Sequence, residues 1–266
     1  MEIINTSKPI VLCFSELDPT GGAGLQADIE TLFSIGCHAC PVATALTVQN
    51  TQNASAMTPC DPALIVQQAR AILEDMQVSA IKIGLVGSVG IVEVLHTLLK
   101  DYPDIPVVID PVVVASGGVE MGSDEVVDAI RNLLLPLATL LTPNTMELRA
   151  LAESGDIEDA CANELLDSGC KNILLTGAHA DTSNVVNKLY SLHQTITMFS
   201  WPRLDDCYHG SGCTLASACA GYIGHQVDMH DAIQQAQQFT WESLSHGTRM
   251  GFGQLIPNRS YWSKQK

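Results

Sequence analysis

The chain has 266 residues, 46% of them hydrophobic and 16% charged, with twelve Pro and twenty Gly scattered along it; this suffices for a large core, in one α/β domain or two small ones, and excludes an intrinsically disordered chain. With 13 Lys and Arg against 29 Asp and Glu, the formal net charge is −16, so no basic cluster is available to displace counterions from nucleic acid or anionic lipid. An anionic ligand must then be neutralised by backbone N–H groups and a metal ion, which directs attention to glycine turns.

In chain order, Pro9 to Phe14 is a continuous apolar run, expected for a strand covered on both faces. Gly21 to Gly24 follows, then a helical pattern from Leu25 to Ile35 closed by Gly36. Cys40 to Leu46 reads as a second strand, with Thr47 to Thr51 as the segment after it. Asp61 to Met76 has helical spacing and opens on Asp61-Pro62. Ser79 to Leu85 is strand-like, Val89 to Leu99 helical and Pro106 to Asp110 another strand. Asp124 to Leu134 predicts a helix, Ala138 to Leu141 a strand, Asn144 to Leu151 and Asp159 to Asp167 helices, and Asn172 to Thr176 a strand. Val185 to Leu192 and Thr195 to Trp201 predict an antiparallel hairpin at one side of the sheet. Two helices finish the chain, Cys213 to Ile223 and Met229 to about His246. Strands alternating with helices at this pace predict a mostly parallel sheet with helices on both faces, and nothing breaks the sequence into more than one domain over residues 1–266.

Met1 to Pro9 lacks the basic and apolar regions of a signal peptide, and no apolar stretch approaches a membrane span. Nine cysteines in that setting are expected to be reduced thiols of a cytoplasmic protein. Cys37-His38-Ala39-Cys40 is a C-x-x-C, yet no second ligand pair of similar spacing accompanies it and its flanks read as a strand, so ordinary thiols are expected.

In a parallel α/β sheet, ligands bind beyond the carboxyl ends of the strands, so the polar residues there carry the function. Gly22-Ala23-Gly24-Leu25-Gln26-Ala27 has the dinucleotide fingerprint, but no Asp or Glu lies between Glu30 and Asp61 to hold a ribose. No G-x-x-x-x-G-K-[ST] is present either. The most informative stretch is Tyr208 to Thr214: Gly210 and Gly212 let successive N–H groups face one anion, and the run Thr214 to Ala220 reads as a buried helix whose positive dipole end points there. Cys213 at that helix start is expected to ionise more easily than a free thiol. Asp110-Pro111 ends a strand on a carboxylate, and Asn144 with Glu147 has the spacing of a capping box. Asp110, Asn144 and Glu147 together would also suit Mg²⁺ held through water and phosphate. The amide groups of Thr47 to Thr51 can recognise a heterocycle edge.

These segments together resemble the hydroxymethylpyrimidine/phosphomethylpyrimidine kinases of the ribokinase-like superfamily. The resemblance rests on Asp18 to Asp28, Thr47 to Thr51, Lys82-Ile83-Gly84, Val108 to Val112, Leu141 to Glu147 and His209 to Thr214, in the family's order across nearly the whole chain. It implies a three-layer α/β/α sandwich, use of ATP and Mg²⁺, and phosphorylation of a 4-amino-5-hydroxymethylpyrimidine and then of its monophosphate in thiamine biosynthesis, in a homodimer. By the same resemblance Cys213 is the base at the hydroxymethyl group and Gly210, Ser211, Gly212 and Cys213 form the anion hole. Gln49 binds the pyrimidine with Asp18 and Gly22 lining the pocket, Thr176, Gly177, His179, Asp206 and His209 lie on the nucleotide side, and Asp110 and Glu147 face the metal.

Three departures qualify the match. Glu16-Leu17-Asp18 stands where the family reads Gly-Ser-Asp, which predicts a larger and more acidic turn. Thr176-Gly177-Ala178-His179 replaces Lys-Gly-Gly-His, so a phosphate-facing cation is lost. Leu204 to Tyr208 is acidic beside the nucleotide, where Asp205 or Asp206 could bind Mg²⁺ instead. A kinase for pyridoxal or another hydroxymethyl heterocycle and a non-catalytic pyrimidine-binding protein remain the alternatives from sequence.

Overall fold

The computed structural model describes residues 8–112, 123–177 and 183–263. The chain forms β1 (Ile10–Leu17), α1 (Gly24–Ser34), β2 (His38–Gln49), β3 (Ala54–Pro59), α2 (Pro62–Asp75), β4 (Val78–Ile83), α3 (Val89–Asp101) and β5 (Val107–Ile109). After these come α4 (Asp124–Ala129), β6 (Leu140–Leu141), α5 (Thr145–Leu151), α6 (Glu158–Asp167), β7 (Asn172–Leu175), β8 (Asn184–Ser191), β9 (Thr197–Pro202), α7 (Ser211–Gly224) and α8 (Met229–Ser245). The strands form one sheet in the order β3-β2-β1-β4-β5-β6-β7-β8-β9. Its six central strands, β2 to β7 in that order, are parallel. β3 pairs antiparallel with β2 at one edge, and β8 and β9 form the expected antiparallel hairpin at the other.

The layers follow from which residues each strand sends to either side. In β1, Leu12 and Phe14 enter one core while Val11 and Cys13 enter the other, which is why the run is apolar throughout instead of alternating. The first core takes Ile65 of α2, Leu95 of α3, Val127 of α4, Leu148 of α5 and Leu165 of α6; the second takes Leu32 of α1, Leu215 of α7 and Phe239 of α8. The result is the α/β/α arrangement expected from the alternation of elements. α7 carries mostly small side chains from Ala216 to Ala220, all fully buried, so it lies close against the sheet and both neighbouring helices.

Four local expectations need correction. The segment Ala54–Pro59 is a strand that the sequence did not announce. It is mostly exposed, lacks β-branched alternation apart from Thr58, and is held by main-chain pairing to an edge. The pattern from Asp124 to Leu134 divides: α-helix to Ala129, then π-helical turns over Ile130–Leu134 and a 3-10 turn over Leu135–Leu137, where Pro136 has no N–H with which to continue the helix. Only Leu140–Leu141 pair as β6, although Thr139 N–H already donates to Val107 O. Glu16 and Leu17 do not form a turn: they complete β1, and the pairing with β2 slips by one residue between Ser15 and Glu16. Among the described residues, no helix is long and apolar enough to cross a membrane.

Candidate active site

The carboxyl ends of the parallel strands converge on the start of α7. Gly210, at φ 83° and ψ 21°, is the left-handed residue that turns the chain into this helix, and no side chain caps it. A side chain here would place its Cβ 1.9 Å from Gly22 O, so the turn after β1 and the turn before α7 touch backbone to backbone. The helix ladder begins with Thr214 N–H donating to Gly210 O. The N–H groups of Ser211, Gly212 and Cys213 thus occupy the first turn, where donors have no carbonyl within the helix and the dipole is positive. Gly212 is exposed and its Cβ position lies 3.7 Å from Asp110 Oδ1, which brings the carboxylate at the end of β5 alongside these donors.

Asp18, Gly22 and His209 are also brought together, by a hydrogen bond between Asp18 and His209 and by the space that Gly22 leaves for the ring. Asp18 accepts from Thr20 N–H at 2.8 Å, Thr20 Oγ1 at 2.8 Å and Ala23 N–H at 2.9 Å, so its carboxylate fills the loop that it opens. His209 Nε2 lies 2.7 Å from Asp18 Oδ2. Burial acts to raise the Asp18 pKa, yet His209 and Thr20 outweigh it and hold the carboxyl below its ordinary value. Gly22 leaves the space for the imidazole, since its Cβ position is 2.2 Å from His209 Cδ2. The other ring nitrogen, Nδ1, is buried without a hydrogen bond.

Beneath α7 lies a cluster of buried charges. Lys82 on β4 is fully buried and pairs with Asp28 of α1 at 2.8 Å. Asp28 Oδ1 also accepts from Ser217 Oγ of α7, while Oδ2 has no hydrogen bond. Cys213, Asp110 and Glu16 border the same pair. Burial is the largest influence on the Cys213 thiol and, with Asp110, Glu16 and Asp28 adding to it against Lys82, raises its pKa well above the ordinary value. The expectation of an easily ionised thiol is therefore corrected: desolvation and three carboxylates outweigh the helix dipole and one lysine. Asp110 is raised by burial as well, receives a hydrogen bond from Cys213, and keeps Oδ2 buried without one.

Glu16, which the sequence assigned to a turn, is 6% exposed and accepts from Ser15 Oγ at 2.8 Å. Burial, opposed by Lys82 and Ser15, raises its carboxyl from 4.5 to about 7. A carboxyl raised on folding is stabilising below its unfolded pKa, and that contribution is lost as pH rises through the folded value, here between 4.5 and about 7. The Glu16 share of this loss is about 3 kcal/mol for a shift of this size. Glu16→Gln should remove that share, so urea unfolding at about pH 5 and about pH 8 should show a shallower decline in the variant. Equal pH slopes for the two proteins would refute the placement of this charge.

The remaining candidates lie further along the strand ends. Gln49 is half-buried at the last position of β2, paired with Ala54, and so belongs to a strand and not to a loop. Thr176, half-buried, turns both its N–H, at 2.9 Å, and its hydroxyl, at 3.4 Å, toward Pro143 O. Gly177 N–H donates to Asn187 Oδ1 at 2.9 Å. His179 lies outside the described residues. Asp206 is exposed, 3.8 Å from Arg249 Nη2. The capping box is present: Asn144 Oδ1 accepts from Met146 and Glu147 N–H, and Glu147 Oε2 accepts from Asn144 N–H. Among the described residues, no group of three or more His, Cys, Asp or Glu side chains forms a ready metal cage. The unpartnered Asp110 oxygen nevertheless suits an ion that takes most of its ligands from water and phosphate. All nine cysteines are free, and burial raises the pKa of both Cys37, to about 11, and Cys40.

Comparison with known proteins places the chain in a family and a fold. A family model described as phosphomethylpyrimidine kinase matches residues 18–258. The chain is 32% identical over 253 residues to a hydroxymethylpyrimidine/phosphomethylpyrimidine kinase of Aquifex aeolicus, covering 93% of this chain and 98% of that one. It superposes on phosphomethylpyrimidine kinase from Clostridium difficile with a TM-score of 0.77 and 30% identity, over 88% of this chain and 99% of the other. The ADP complex of Bacillus subtilis pyridoxal kinase gives a TM-score of 0.88 at 26% identity, over 97% and 100% of the two chains.

Proposed function

The chain belongs to the phosphomethylpyrimidine kinase family, and from that premise we propose that it transfers the terminal phosphoryl group of ATP to hydroxymethylpyrimidine and to its monophosphate in the supply of thiamine. It is a kinase with the ribokinase-like fold. The observation that carries the reading is the Gly210–Cys213 turn: three first-turn N–H groups beside Asp110, with Cys213 at the helix start. Phosphoryl transfer asks mainly for in-line positioning and for donors fixed where charge collects, and the first-turn N–H groups support the second of these. Mg²⁺ bound with the nucleotide would neutralise phosphate charge, with Asp110 and Glu147 on its side of the site.

Gln49, Asp18 and Gly22 form the pyrimidine side in this reading, and Thr176, Gly177, His179, Asp206 and His209 the nucleotide side. Cys213 lies at the hydroxymethyl oxygen: as the O–P bond forms and the bond from that phosphorus to ADP breaks, the sulfur takes the hydroxyl proton while its own S–H proton passes to the Asp110 carboxylate. Cys213→Ala should lower kcat about a hundredfold or more while pyrimidine affinity changes only a few-fold. Near wild-type turnover in that variant would remove the role. Gly210, Ser211 and Gly212 act through their backbone. We assign the whole chain to one domain of a cytoplasmic homodimer; the family resemblance and the exposed Leu17, Leu46 and Val48 support a second copy.

The test is ADP release from Mg·ATP with hydroxymethylpyrimidine, its monophosphate and pyridoxal in parallel. Turnover with both pyrimidines, faster than with pyridoxal, is the expected result. No turnover with any of the three, alongside calorimetric binding of hydroxymethylpyrimidine, would replace the kinase with a binding protein.

A further inference from the structure

Arg259 lies one residue beyond the stretch matched by the family model, and sequence motifs do not single it out. It is nevertheless 1% exposed, and its guanidinium is engaged on every side. Nε donates to Thr214 Oγ1 at 2.9 Å, Nη1 to Gly21 O at 3.4 Å and to Glu30 Oε2 at 3.1 Å, and Nη2 to Gly22 O. Thr214 Oγ1 in turn donates to Gly210 O at 2.8 Å. The carbonyls of Gly21, Gly22 and Gly210 are thus all held from the rear, two directly and one through a hydroxyl. These are the carbonyls at the seam where the two glycine turns touch. A carbonyl oxygen turned toward a phosphate would repel it; with its oxygen to the rear the Gly210 peptide presents Ser211 N–H. The N–H groups that share peptides with the other two carbonyls, those of Gly22 and Ala23, donate to Thr20 Oγ1 and Asp18 Oδ2.

On the kinase reading above, we propose that Arg259 is a positioning residue that orients both glycine turns, drawing their carbonyls back so that the N–H groups of Ser211, Gly212 and Cys213 face the transferring phosphoryl group. The arginine is itself fixed: Ser34 Oγ donates to its carbonyl at 2.6 Å, and Asn258 N–H donates to Ser243 O at 2.9 Å. It therefore ties the site to α1 and α8. A planar fork suits four oxygens that lie in different directions, and lysine, a single point charge, cannot reproduce it. The guanidinium also adds a fixed positive charge behind the start of α7, in a chain where Thr176 brings none to the nucleotide side.

The experiment compares wild type, Arg259→Lys, Arg259→Gln and Thr214→Val, the last breaking only the relay to Gly210. For each, kcat, KM for pyrimidine and for Mg·ATP, calorimetric affinity for ADP and thermal stability are measured. Misplacing a catalytic constellation by about 1 Å costs about a hundredfold, so Arg259→Gln should lower kcat by that order with pyrimidine KM nearly unchanged. Arg259→Lys should recover only a small part of it, and Thr214→Val should show a smaller loss of the same kind. Added guanidinium ion, at concentrations that leave wild type unaffected, should restore part of the Arg259→Gln rate. Variants that melt earlier but keep wild-type kcat when folded would reduce Arg259 to a structural role and overturn the proposal. If Arg259→Gln does not fold, unaltered kcat in Thr214→Val overturns it equally. If wild type has no turnover, the kinase reading fails separately, and ADP affinity decides: a loss of about tenfold or more in Arg259→Gln supports the oriented turn, and equal affinity refutes it.

Discussion

Gly210→Ala should nearly abolish phosphoryl transfer, with kcat falling about a hundredfold to a thousandfold, the range seen when one fixed donor to a developing negative charge is lost. Two separate faults act at this position. The backbone sits at φ 83°, where a non-glycine residue costs about 1–2 kcal/mol. The added Cβ would also stand 1.9 Å from Gly22 O, 2.8 Å from Gly22 C and 3.0 Å from Ala23 Cα. All three are backbone atoms, so no rotamer change relieves the contact and the two turns must separate. The three N–H groups then no longer share one focus. Gly212→Ala is the control: its Cβ would meet only the Asp110 oxygens, at 3.7 and 3.8 Å, in ordinary contact. Folding stability should therefore be close to wild type in Gly212→Ala and lower in Gly210→Ala. A coupled ADP assay with urea unfolding separates the two effects. Gly210→Ala with wild-type kcat would show that this turn does not receive the phosphoryl group.

The parallel core of the sheet was legible because strands buried on both faces are apolar without interruption, as in Val11 to Phe14 and Val107 to Ile109. Capping chemistry was equally legible, since Asp61-Pro62 and Asn144 to Glu147 act within one turn of chain. Edge strand β3 was not, because main-chain pairing with β2 fixes it and its side chains add little. In the site, the glycine turn could be read because both its sharpness and its charge come from local backbone. What sequence missed depends on distant residues. The imidazole that holds the Asp18 carboxylate comes from His209, 191 positions away. Cys213 looked easily ionised because the helix dipole is local, whereas Asp28, Asp110 and Glu16 reach it from three other elements. Arg259 bonds to residues more than two hundred positions away, and no spacing rule anticipates that.

The second large effect concerns Lys82, the basic side chain beneath Cys213. Burial alone would lower its pKa, but Asp28, Cys213 and Asp110 hold it above the ordinary value, so it stays charged. It also pulls down the pKa values of Glu16, Asp110 and Cys213. Removing one partner of a buried ion pair costs about 3–5 kcal/mol, because the other charge is left uncompensated. Lys82→Met should lose about that much stability near pH 8, and the loss should shrink toward pH 5 as the carboxyls take up protons instead. Lys82→Met with Asp28→Leu should recover most of it, since a pair replaced whole by apolar groups is often neutral. Activity should not return with stability in that double variant: without the lysine the Asp110 and Glu16 carboxyls are drawn further toward their neutral forms beside Cys213. Urea unfolding of the three proteins at both pH values tests this. Unchanged stability in Lys82→Met would mean that the pair contributes no net free energy to the fold, and a fully active double variant would remove Lys82 from the electrostatics of the site.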